Sequence, residues 1–338
     1  AWGDEAKGKI VGSLCKKNNY DFVCRWAGGS NAGHTIYIDG NKYDTHIVPC
    51  GLFFGITSVI GPDCYVNMND LNTEMEYLEK AGFDTNLIKI SPRAHVVTSS
   101  HKELDAKKYK NQQGSTGKGM APCASDKYAR IGTLFKDVCL DKFKSHIWDE
   151  ELYGDVLCEG AQGFWLDINM GNYPYVTSSI TLPYSACSLG FPPQKIREIY
   201  GAAKVYDTRV GVDPLFDDDN DIKPEEKEIF DRIAEVGGEF GTTTGRARKV
   251  RWLNMAKLVN AINISGTTTI VLSKMDVLEK VGEFGLYLNE KILNSNLTIK
   301  YNDAKHMIRI MNEVFKNHCP LLRTVIYSNN PNDVEDLV

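Results

Sequence analysis

Short apolar runs that alternate with helical patterns constrain the fold of this sequence more than any other feature. The apolar runs lie at 21–27, 58–66, 88–97, 155–161, 199–206, 267–276 and 322–328, and helical spacing is found at 69–81, 100–110, 192–198, 250–264 and 303–318. Because parallel strands need crossover connections, this alternation is typical of a largely parallel sheet. It predicts an α/β fold, with a single large domain over residues 1–338 and a mainly parallel central sheet.

Composition disfavours several classes of protein. The 338 residues carry a net charge of −5, which disfavours nucleic-acid binding because that function needs a basic face. Nine cysteines, an odd number without a C-x-x-C pair, indicate free thiols in a reducing compartment. No stretch approaches about 18 apolar residues and the first residues lack a signal-peptide pattern, so we expect a cytoplasmic protein without a membrane partner.

The opening segment, AWGDEAKGKI, nearly matches the phosphate-binding pattern G-x-x-x-x-G-K-[ST]. Gly3, Gly8 and Lys9 occupy its fixed positions, but Ile10 stands where a hydroxyl normally holds Mg²⁺. A chance match, a damaged loop and a loop with another metal ligand all fit this pattern. Since such loops normally follow a buried strand, we expect a short strand before residue 1. The segment adds a P-loop-NTPase-like feature to the predicted fold.

Three further segments are rich in glycine and polar side chains: WAGGSNAGHT at 26–35, GSTGKGMAP at 114–122 and EGAQGFWLD at 159–167. Glycines after a strand free backbone amides for an anion, and His34 could donate to a phosphate or an oxyanion there. Ser115 and Thr116 are phosphate donors in the same sense, and the Gln162 amide suits a base or carbonyl edge. A loop histidine bonded within the protein and a surface turn remain the alternatives.

Two later segments point to other parts of a substrate. GTTTGRARKVRW at 241–252 places three threonines beside Arg246 and Arg248, and arginine forks bind carboxylates or phosphates bidentately. A basic surface turn is the alternative. VLSKMD at 271–276 carries Lys274 and Asp276 in a pattern similar to the [NT]-K-x-D that reads guanine, which suggests GTP. The acidic run at 217–228 is expected to be a solvated loop.

Taken together, these segments resemble motifs of the adenylosuccinate synthetase family, and they occur in the family's order over nearly the whole chain. The shared motifs are W-G-D-E-x-K-G-K (2–9), G-G-x-N-A-G-H-T (28–35), G-S-T-G-K-G (114–119) with D-K-Y-A-R (126–130), E-G-A-Q-G (159–163), Y-P-Y-V-T-S-S (173–179), D-T-R-V-G (207–211), T-T-G-R-x-R (243–248) and K-M-D (274–276). The resemblance implies an enzyme that uses GTP and Mg²⁺ to join L-aspartate to C6 of IMP through a 6-phosphoryl intermediate, giving adenylosuccinate.

The resemblance also implies a role for each matching residue. Asp4 would take the N1 proton and, with Gly33, approach Mg²⁺, while His34 would be the acid at O6 and Lys7 and Gln162 would complete the catalytic set. GTP would contact Gly3, Glu5, Ala6, Gly8, Lys9, Gly33, Thr35, Lys274, Asp276 and Ser328. The purine monophosphate would contact Asn31, Ser115, Thr116, Gln162, Thr177 and Val210, with Arg130 reaching it from the neighbouring subunit of a homodimer. L-Aspartate would contact Thr243, Thr244, Arg246 and Arg248.

Departures from the family pattern leave the purine substrate open. Ala6 stands where the family usually has Gly, and TLPYSAC at 181–187 replaces a T-T-A-G-G-like stretch beside the expected base pocket. Compact phage relatives use dGMP, so the same chemistry on dGMP is the alternative. The retained Asp4 favours IMP, and the retained Lys274 and Asp276 favour GTP over ATP. A GTP-binding switch, a remote alternative, would need switch segments and a hydroxyl after Lys9.

Overall fold

The protein divides into two compact units. The computed structural model describes residues 2–138, 140–211, 213–214, 216, 224–240, 245–288, 297–329 and 334. The N-terminal unit is built on Lys7–Ile196, and the C-terminal unit joins Ala1–Ala6 to Arg197–Asp336. Each unit has its own apolar core. One domain over residues 1–338 stays a prediction.

The N-terminal unit contains strands that are mostly parallel. In chain order they are β1 (Phe22–Arg25), β2 (Gly28–Gly29), β3 (His34–Ile38), β4 (Asn41–Thr45), β5 (Thr57–Ile60), β6 (Cys64–Val66), β7 (Ile88–Ile90), β8 (His95–Val96) and β9 (Val156–Glu159). One parallel sheet has the order β7-β5-β1-β9 and another the order β2-β6-β8, while β3 and β4 form an antiparallel hairpin. The carboxyl ends of β1 and β9 therefore lie side by side, with Arg25 opposite Glu159.

Side chains cap some of the helices of the N-terminal unit. The helices are α1 (Lys7–Lys17), α2 (Met68–Lys80), α3 (Ser99–Leu104), α4 (Lys110–Gln113), α5 (Met120–Ala129) and α6 (Phe135–Val138), with a π-helical turn over Asp105–Tyr109 joining α3 to α4. The Asn67 side chain caps α2 by accepting the Asp70 N–H at 3.0 Å. The predicted helices at 69–81 and 100–110 are therefore present, the second with a π turn in its middle.

The C-terminal unit combines a parallel sheet with a mixed one. Its strands are β10 (Tyr200–Lys204), β11 (Tyr206–Arg209), β12 (Lys249–Asn254), β13 (Thr269–Ser273), β14 (Phe284–Leu288), β15 (Leu297–Tyr301) and β16 (Thr324–Ser328). Its helices are α7 (Pro224–Gly237), α8 (Met255–Ser265), α9 (Met275–Val281) and α10 (Ala304–His318). The order β10-β13-β16 is parallel, and in β11-β12-β14-β15 only the central pair is parallel. The α/β class with a mainly parallel sheet is confirmed.

Three local predictions were wrong. The segment 250–264 was expected to be one helix, but β12 occupies 249–254 because Val250 and Trp252 alternate into the core, and Asn254 then caps α8. The segment 192–198 contains only a 3₁₀ turn at Pro193–Lys195. The acidic run at 217–228 is not all loop, since α7 begins at Pro224; residues 217–223 lie outside the described residues.

The cysteines and helices bear on the predicted class of protein. The eight described cysteines are all free thiols, as predicted for them, and Cys139 lies outside the described residues. None of the helices that the structure describes is both long and apolar enough to cross a membrane.

Candidate active site

The opening loop, in the C-terminal unit, is shaped by its own side chains. The Glu5 carboxylate accepts the backbone N–H groups of Trp2 at 2.9 Å and Gly3 at 3.2 Å. The Trp2 indole N–H donates to Asp207 Oδ1 at 3.0 Å. Both Trp2 and Glu5 are buried. The Glu5 carboxylate and the Gly3 amide therefore serve the loop itself, and their contacts with GTP stay predictions.

Two non-glycine residues of this loop have left-handed backbone. Asp4 has φ 56° and Ala6 has φ 65°. Asp adopts this region more readily than other side chains, because its short polar group can bond locally. For Ala the conformation costs about 1 to 2 kcal/mol. This explains why the family that the chain resembles usually has glycine at the position of Ala6.

Asp4 and Arg248, predicted as base and aspartate ligand, are brought together. Arg248 Nη2 donates to Asp4 Oδ2, and the two side chains form an ion pair. The Arg248 side chain is 4% exposed, whereas the Asp4 side chain is 38% exposed. Arg248 Nε also donates to the Phe240 carbonyl at 3.1 Å. The guanidinium is therefore held from behind, and the carboxylate lies at the accessible side.

Glu239 connects Arg248 to a buried network that sequence reasoning missed. Glu239 Oε2 accepts Lys204 Nζ at 2.6 Å and lies 3.5 Å from Arg248 Nε, while Oε1 accepts the Tyr206 hydroxyl at 2.7 Å. Lys204 Nζ also donates to Thr208 Oγ1 at 3.2 Å. Burial lowers the pKa of Lys204 and raises that of Tyr206, with Glu239 opposing the first shift and adding to the second. Two buried cations thus share one carboxylate.

Asp207 is a second buried carboxylate in this unit, in the D-T-R-V-G motif. Burial raises its pKa to about 6, although the Asn254 N–H, the Lys257 charge and the Trp2 indole lower it. The Asn254 N–H donates to Oδ2 at 3.0 Å. Asp207 therefore anchors both the opening loop and the end of β12.

The remaining predicted aspartate ligands are only partly described. Arg246 is exposed, and Val210 is half-buried at the end of β11 next to Gly211, which has φ 85°. A Cβ at Gly211 would lie 3.9 Å from Arg246 Nη1, so Arg246 is close to the segment that carries Val210, the predicted purine monophosphate contact. Thr243 and Thr244 lie outside the described residues.

The predicted guanine site lies at the carboxyl ends of two paired strands. Lys274 follows β13 with φ 75°, and Ser328 ends β16 beside Ser273. Lys274 Nζ donates to the Gly237 carbonyl at 2.8 Å. Asp276 lies in the first turn of α9, not at the strand end as expected, and its side chain is 34% exposed. Ligands of open α/β sheets bind at such strand ends.

In the N-terminal unit, α1 begins at Lys7 and contacts two of the predicted loops. Lys7 Nζ donates to the Gln162 carbonyl at 2.6 Å. A Cβ at Gly8 would lie 2.6 Å from the Thr35 carbonyl oxygen, so only glycine permits this approach of α1 to β3. Lys9 and Ile10 are both buried. Ile10 therefore packs in the core where the usual motif has a hydroxyl.

His34 begins β3 and is buried with one ring nitrogen left over. Its Nδ1 hydrogen-bonds Glu159 Oε1, and its buried Nε2 has no hydrogen-bond partner in the part of the chain that the structure describes. Burial lowers the pKa of His34, and the charge of Arg25 lowers it further, while Glu159 opposes both. Beside it, Gly33 and Thr35 are half-buried, and Thr35 Oγ1 donates to Asp44.

Glu159 is fully buried at the end of β9. Burial would raise its pKa, but His34, Arg25 and the Cys50 N–H outweigh burial and hold the pKa at about 2. Arg25 Nη1 lies 3.1 Å from Oε1, and the Cys50 N–H donates to Oε2 at 2.8 Å. His34, Cys50 and Glu159 have the spacing of a metal site. The guanidinium already occupies the place of a cation, so this cluster does not favour a metal.

The Gln162 side chain is another buried polar group without a hydrogen-bond partner among the described residues. Neither its amide nitrogen nor its amide oxygen has a hydrogen-bond partner, and its φ is 56°. A Cβ at Gly28 would lie 3.3 Å from Gln162 Nε2, so Gly28 leaves room for this amide. Asn31 lies in the same loop as Gly28, and its Oδ1 accepts the Gly29 N–H at 3.2 Å. The structure thus joins the 28–35 and 159–163 motifs.

The 114–119 loop is anchored by a buried carboxylate. Asp105, in the π turn, accepts the Gly119 N–H at 2.7 Å. Ser115 Oγ accepts the Gly117 N–H at 3.3 Å, and Thr116 is half-buried. Thr177 is also half-buried, with its N–H donated to the Leu166 carbonyl at 2.8 Å. The contacts of these hydroxyls with a monophosphate stay predictions.

Arg130 lies at the exposed end of α5. It has φ 63° and is exposed, and its neighbours Tyr128 and Ile131 are 71% and 72% exposed. Large apolar side chains this exposed are typical of a surface that contacts another protein when they are grouped.

Comparisons with known proteins identify the family of the chain. The family model described as adenylosuccinate synthetase matches residues 1–153 and 144–314. The adenylosuccinate synthetases of Desulforapulum autotrophicum and Brevibacillus brevis are 37% and 36% identical to the chain, over 83% of it and 77% and 76% of their own lengths.

The chain belongs to the adenylosuccinate synthetase family.

Solved structures give the same result for the fold. The fully ligated adenylosuccinate synthetase from Plasmodium falciparum matches with a TM-score of 0.80 at 27% identity, covering 98% of this chain and 96% of that chain. The cyanophage S-2L succinoaminodeoxyadenylate synthetase, bound to dGMP and dATP, matches with a TM-score of 0.70 at 19% identity, over 98% and 91% of the two chains. At that identity the second match concerns the fold alone. The predicted family, the ligase class and the GTP-dependent ligation of L-aspartate to IMP are confirmed.

Sequence reasoning about this adenylosuccinate synthetase-family chain missed the buried charges behind the predicted site. Arg25 and Lys204 each lie inside an apolar run, in DFVCRWA and IYGAAKVY. A charged side chain in a buried strand is nearly always paired, so each was a signal that a buried carboxylate exists. Their partners, Glu159 and Glu239, lie 134 and 35 residues away, which no local pattern identifies.

Proposed function

We propose that the residues of this chain perform the family reaction in two steps. O6 of IMP first takes the γ-phosphoryl group of GTP, and the amine of L-aspartate then displaces phosphate at C6. The observation that carries the proposal is that two of the buried groups without a hydrogen-bond partner among the described residues, His34 Nε2 and the Gln162 amide, lie in the predicted catalytic set. Since buried polar groups are nearly always hydrogen-bonded, their unused capacity supports a polar ligand bound against them.

Asp4 and Arg248 would act on the other reacting groups. An exposed carboxylate is suited to take the N1 proton of the purine, which makes O6 nucleophilic. A general base typically contributes about 10²–10⁴-fold. Arg248 already binds a carboxylate, that of Asp4, and this supports its role as a ligand of the L-aspartate carboxylate. Arg246, Thr243 and Thr244 would complete that site.

The start of α1 supports binding of the GTP phosphates. Backbone N–H groups at a helix N-terminus favour anions, and Lys7 adds a positive charge at the same end. Lys274, Asp276 and Ser328 would hold the guanine.

Mg²⁺ is the cofactor that this reaction requires. Its preferred ligands are oxygens, and the residues proposed here, the Asp4 carboxylate and the Gly33 carbonyl, offer them. Ile10 is buried and offers none, so the Asp4 carboxylate would take the place of the hydroxyl of the usual motif. When bound, Mg²⁺ would neutralise charge on the phosphates.

A homodimer with Arg130 acting across the interface is supported by the exposed group Tyr128, Arg130 and Ile131. The test mixes two inactive variants, Asp4→Ala and Arg130→Ala, after partial unfolding and reassociation. If Arg130 acts in the neighbouring subunit, mixed dimers contain one intact site and turnover returns. No recovery on mixing, although sedimentation shows mixed dimers, would contradict this.

The experiment that tests the substrate measures phosphate release with Mg-GTP and L-aspartate. IMP and dGMP are compared, each with and without L-aspartate. Release that needs both IMP and L-aspartate, with adenylosuccinate as the product, is expected. Turnover with dGMP alone would transfer the function to the phage-type reaction, and GTP hydrolysis independent of both co-substrates would indicate a switch.

A further inference from the structure

Glu159 lies behind His34, on the side away from the unpartnered nitrogen. Its Oε1 contacts His34 Nδ1, Arg25 Nη1 at 3.1 Å and Cys50 Sγ at 3.6 Å, and its Oε2 accepts the Cys50 N–H at 2.8 Å. Both oxygens are therefore engaged by donors. The carboxylate is fully buried, and none of its contacts are with solvent-exposed groups.

The donors around Glu159 fix the state of the histidine ring. Beside the Arg25 guanidinium and the Cys50 N–H, the carboxylate is ionised, and an ionised carboxylate only accepts hydrogen bonds. His34 Nδ1 must then carry a hydrogen and donate it. Nε2 becomes the ring atom that remains for a ligand, and it is buried without a hydrogen-bond partner among the described residues. In such pairs the hydrogen bond at one nitrogen determines what the other can do.

We propose that Glu159 is a positioning residue for the reaction: it holds His34 with Nδ1 hydrogenated and Nε2 directed at the reacting phosphoryl oxygen. The inference rests on the proposed function for the role of His34. Arg25 supports Glu159 from the neighbouring strand. Its second guanidinium nitrogen, Nη2, donates to the His46 carbonyl at 3.0 Å, and this bond fixes the orientation of the guanidinium. The arrangement parallels a base oriented by a third group.

A structural role for Glu159 makes a different prediction. If it only neutralises Arg25, its loss would lower stability without changing the state of the His34 ring. Cys50 offers a matched control, because Cys50→Ala removes the Sγ contact and keeps the backbone N–H that binds Oε2.

The first measurement needs no variant. In full-length enzyme labelled with ¹⁵N-histidine, His34 is assigned from the signal that His34→Gln removes. We expect its Nδ1 to show the hydrogen-bearing shift and Nε2 the unprotonated or ligand-bonded one. A ring with hydrogen on Nε2 and a bare Nδ1 would overturn the proposal, whatever the variants do.

The second measurement is steady-state kinetics of Glu159→Gln, Cys50→Ala and His34→Ala. For Glu159→Gln we expect kcat to fall about 10²-fold, the lower end of an acid–base contribution, with the KM values for IMP, GTP and L-aspartate near wild type. Cys50→Ala should keep wild-type kcat. Wild-type kcat in Glu159→Gln, or an equal loss in Cys50→Ala, would overturn the proposal.

The His34→Ala variant separates the inference from the function on which it rests. If His34→Ala is inactive and Glu159→Gln is active, the role of His34 stands and that of Glu159 fails. If His34→Ala turns over normally, the proposed function of His34 itself fails. Should Glu159→Gln not fold, Glu159→Asp keeps the charge on a shorter arm; lower kcat at wild-type KM supports the proposal, and wild-type kcat contradicts it.

Discussion

The buried pair Lys204 and Glu239 allows a quantitative test of how the C-terminal unit holds its charges. Replacing Lys204 by Met leaves Glu239, 3% exposed, with the Tyr206 hydroxyl and Arg248 as its remaining partners. Breaking a buried ion pair from one side costs about 3 to 5 kcal/mol, because one charge stays in the interior. For Lys204→Met we expect a loss at the lower end of this range, because the Glu239 carboxylate keeps two donors. Glu239→Met should cost at least as much, because Lys204 then keeps Thr208 Oγ1 as a hydrogen-bond partner, while Arg248 and Tyr206 lose the same carboxylate.

The double variant should be more stable than either single one. With Lys204→Met and Glu239→Met together, no charge of the pair remains buried. The Tyr206 hydroxyl loses its acceptor at 2.7 Å, whereas Arg248, which also loses Glu239, keeps Asp4 and the Phe240 carbonyl. An unsatisfied buried hydroxyl costs about 1 to 3 kcal/mol. The double-mutant cycle should therefore show strong coupling, with the two single losses far from additive.

Urea unfolding measures the free energies of unfolding, and hydrogen exchange shows which unit has lost stability. A chain with two compact units can unfold in more than one step, so amide exchange in peptides covering β10 and β12 reports the relevant unit. As a control, Arg309→Met and Glu313→Met remove an exposed pair on α10 with an N–O distance of 3.0 Å. That pair should contribute at most about 0.5 kcal/mol. Additive losses at Lys204 and Glu239, or a double variant less stable than both singles, would refute the reasoning.

Four further changes test other parts of the structure. Ala6→Gly should raise the free energy of unfolding by about 0.5 to 1 kcal/mol, measured in urea, because glycine relieves the left-handed backbone and loses some of the gain as chain entropy. Gln162→Leu should raise stability by about 1 to 3 kcal/mol by removing an unsatisfied amide, and should sharply lower kcat/KM for IMP; a less stable variant would count against the buried amide. Arg248→Leu should raise the KM for L-aspartate about 10- to 100-fold, and an unchanged KM would remove that assignment. Burial raises the pKa of Asp207 to about 6 in the folded protein. The protonated carboxyl therefore adds to the free energy of unfolding below about pH 4, and this addition is lost as the pH rises to about 6. Asp207→Asn should abolish that part of the pH dependence of the urea midpoint.

The predicted fold depended on patterns that burial enforces. The apolar runs at 21–27, 155–161 and 267–276 became β1, β9 and β13, because parallel strands covered on both faces need nearly continuous apolar side chains. The hairpin of β3 and β4 was missed although its signal is present. Asp39 and Gly40, with φ 49° and 79°, form the Asp-Gly turn that favours a two-residue connection.

The residues of the candidate site also differ in whether the sequence predicts them. Loops with repeated glycines and donors mark His34 and Gln162 in the sequence, because few structural roles need that composition. Glu159, beside His34, begins the E-G-A-Q-G motif, but nothing local indicates that it pairs with Arg25, and Glu239, beside Arg248 in the C-terminal unit, lies outside the motifs. Their positions follow from which strands become neighbours, and tertiary pairing over long separations is not contained in local periodicity.

The reactivity of the free thiols can report local opening of each unit. Seven of the eight described cysteines, at positions 15, 24, 50, 64, 123, 158 and 187, belong to the N-terminal unit, and Cys319 belongs to the C-terminal unit. Burial raises the pKa of Cys15 and Cys64 to about 12, so the unreactive thiol form dominates while the chain is closed. Alkylation followed by peptide mass spectrometry would then time how often each unit exposes its interior. Adding nucleotide and L-aspartate during such labelling would reveal which unit the ligands hold closed.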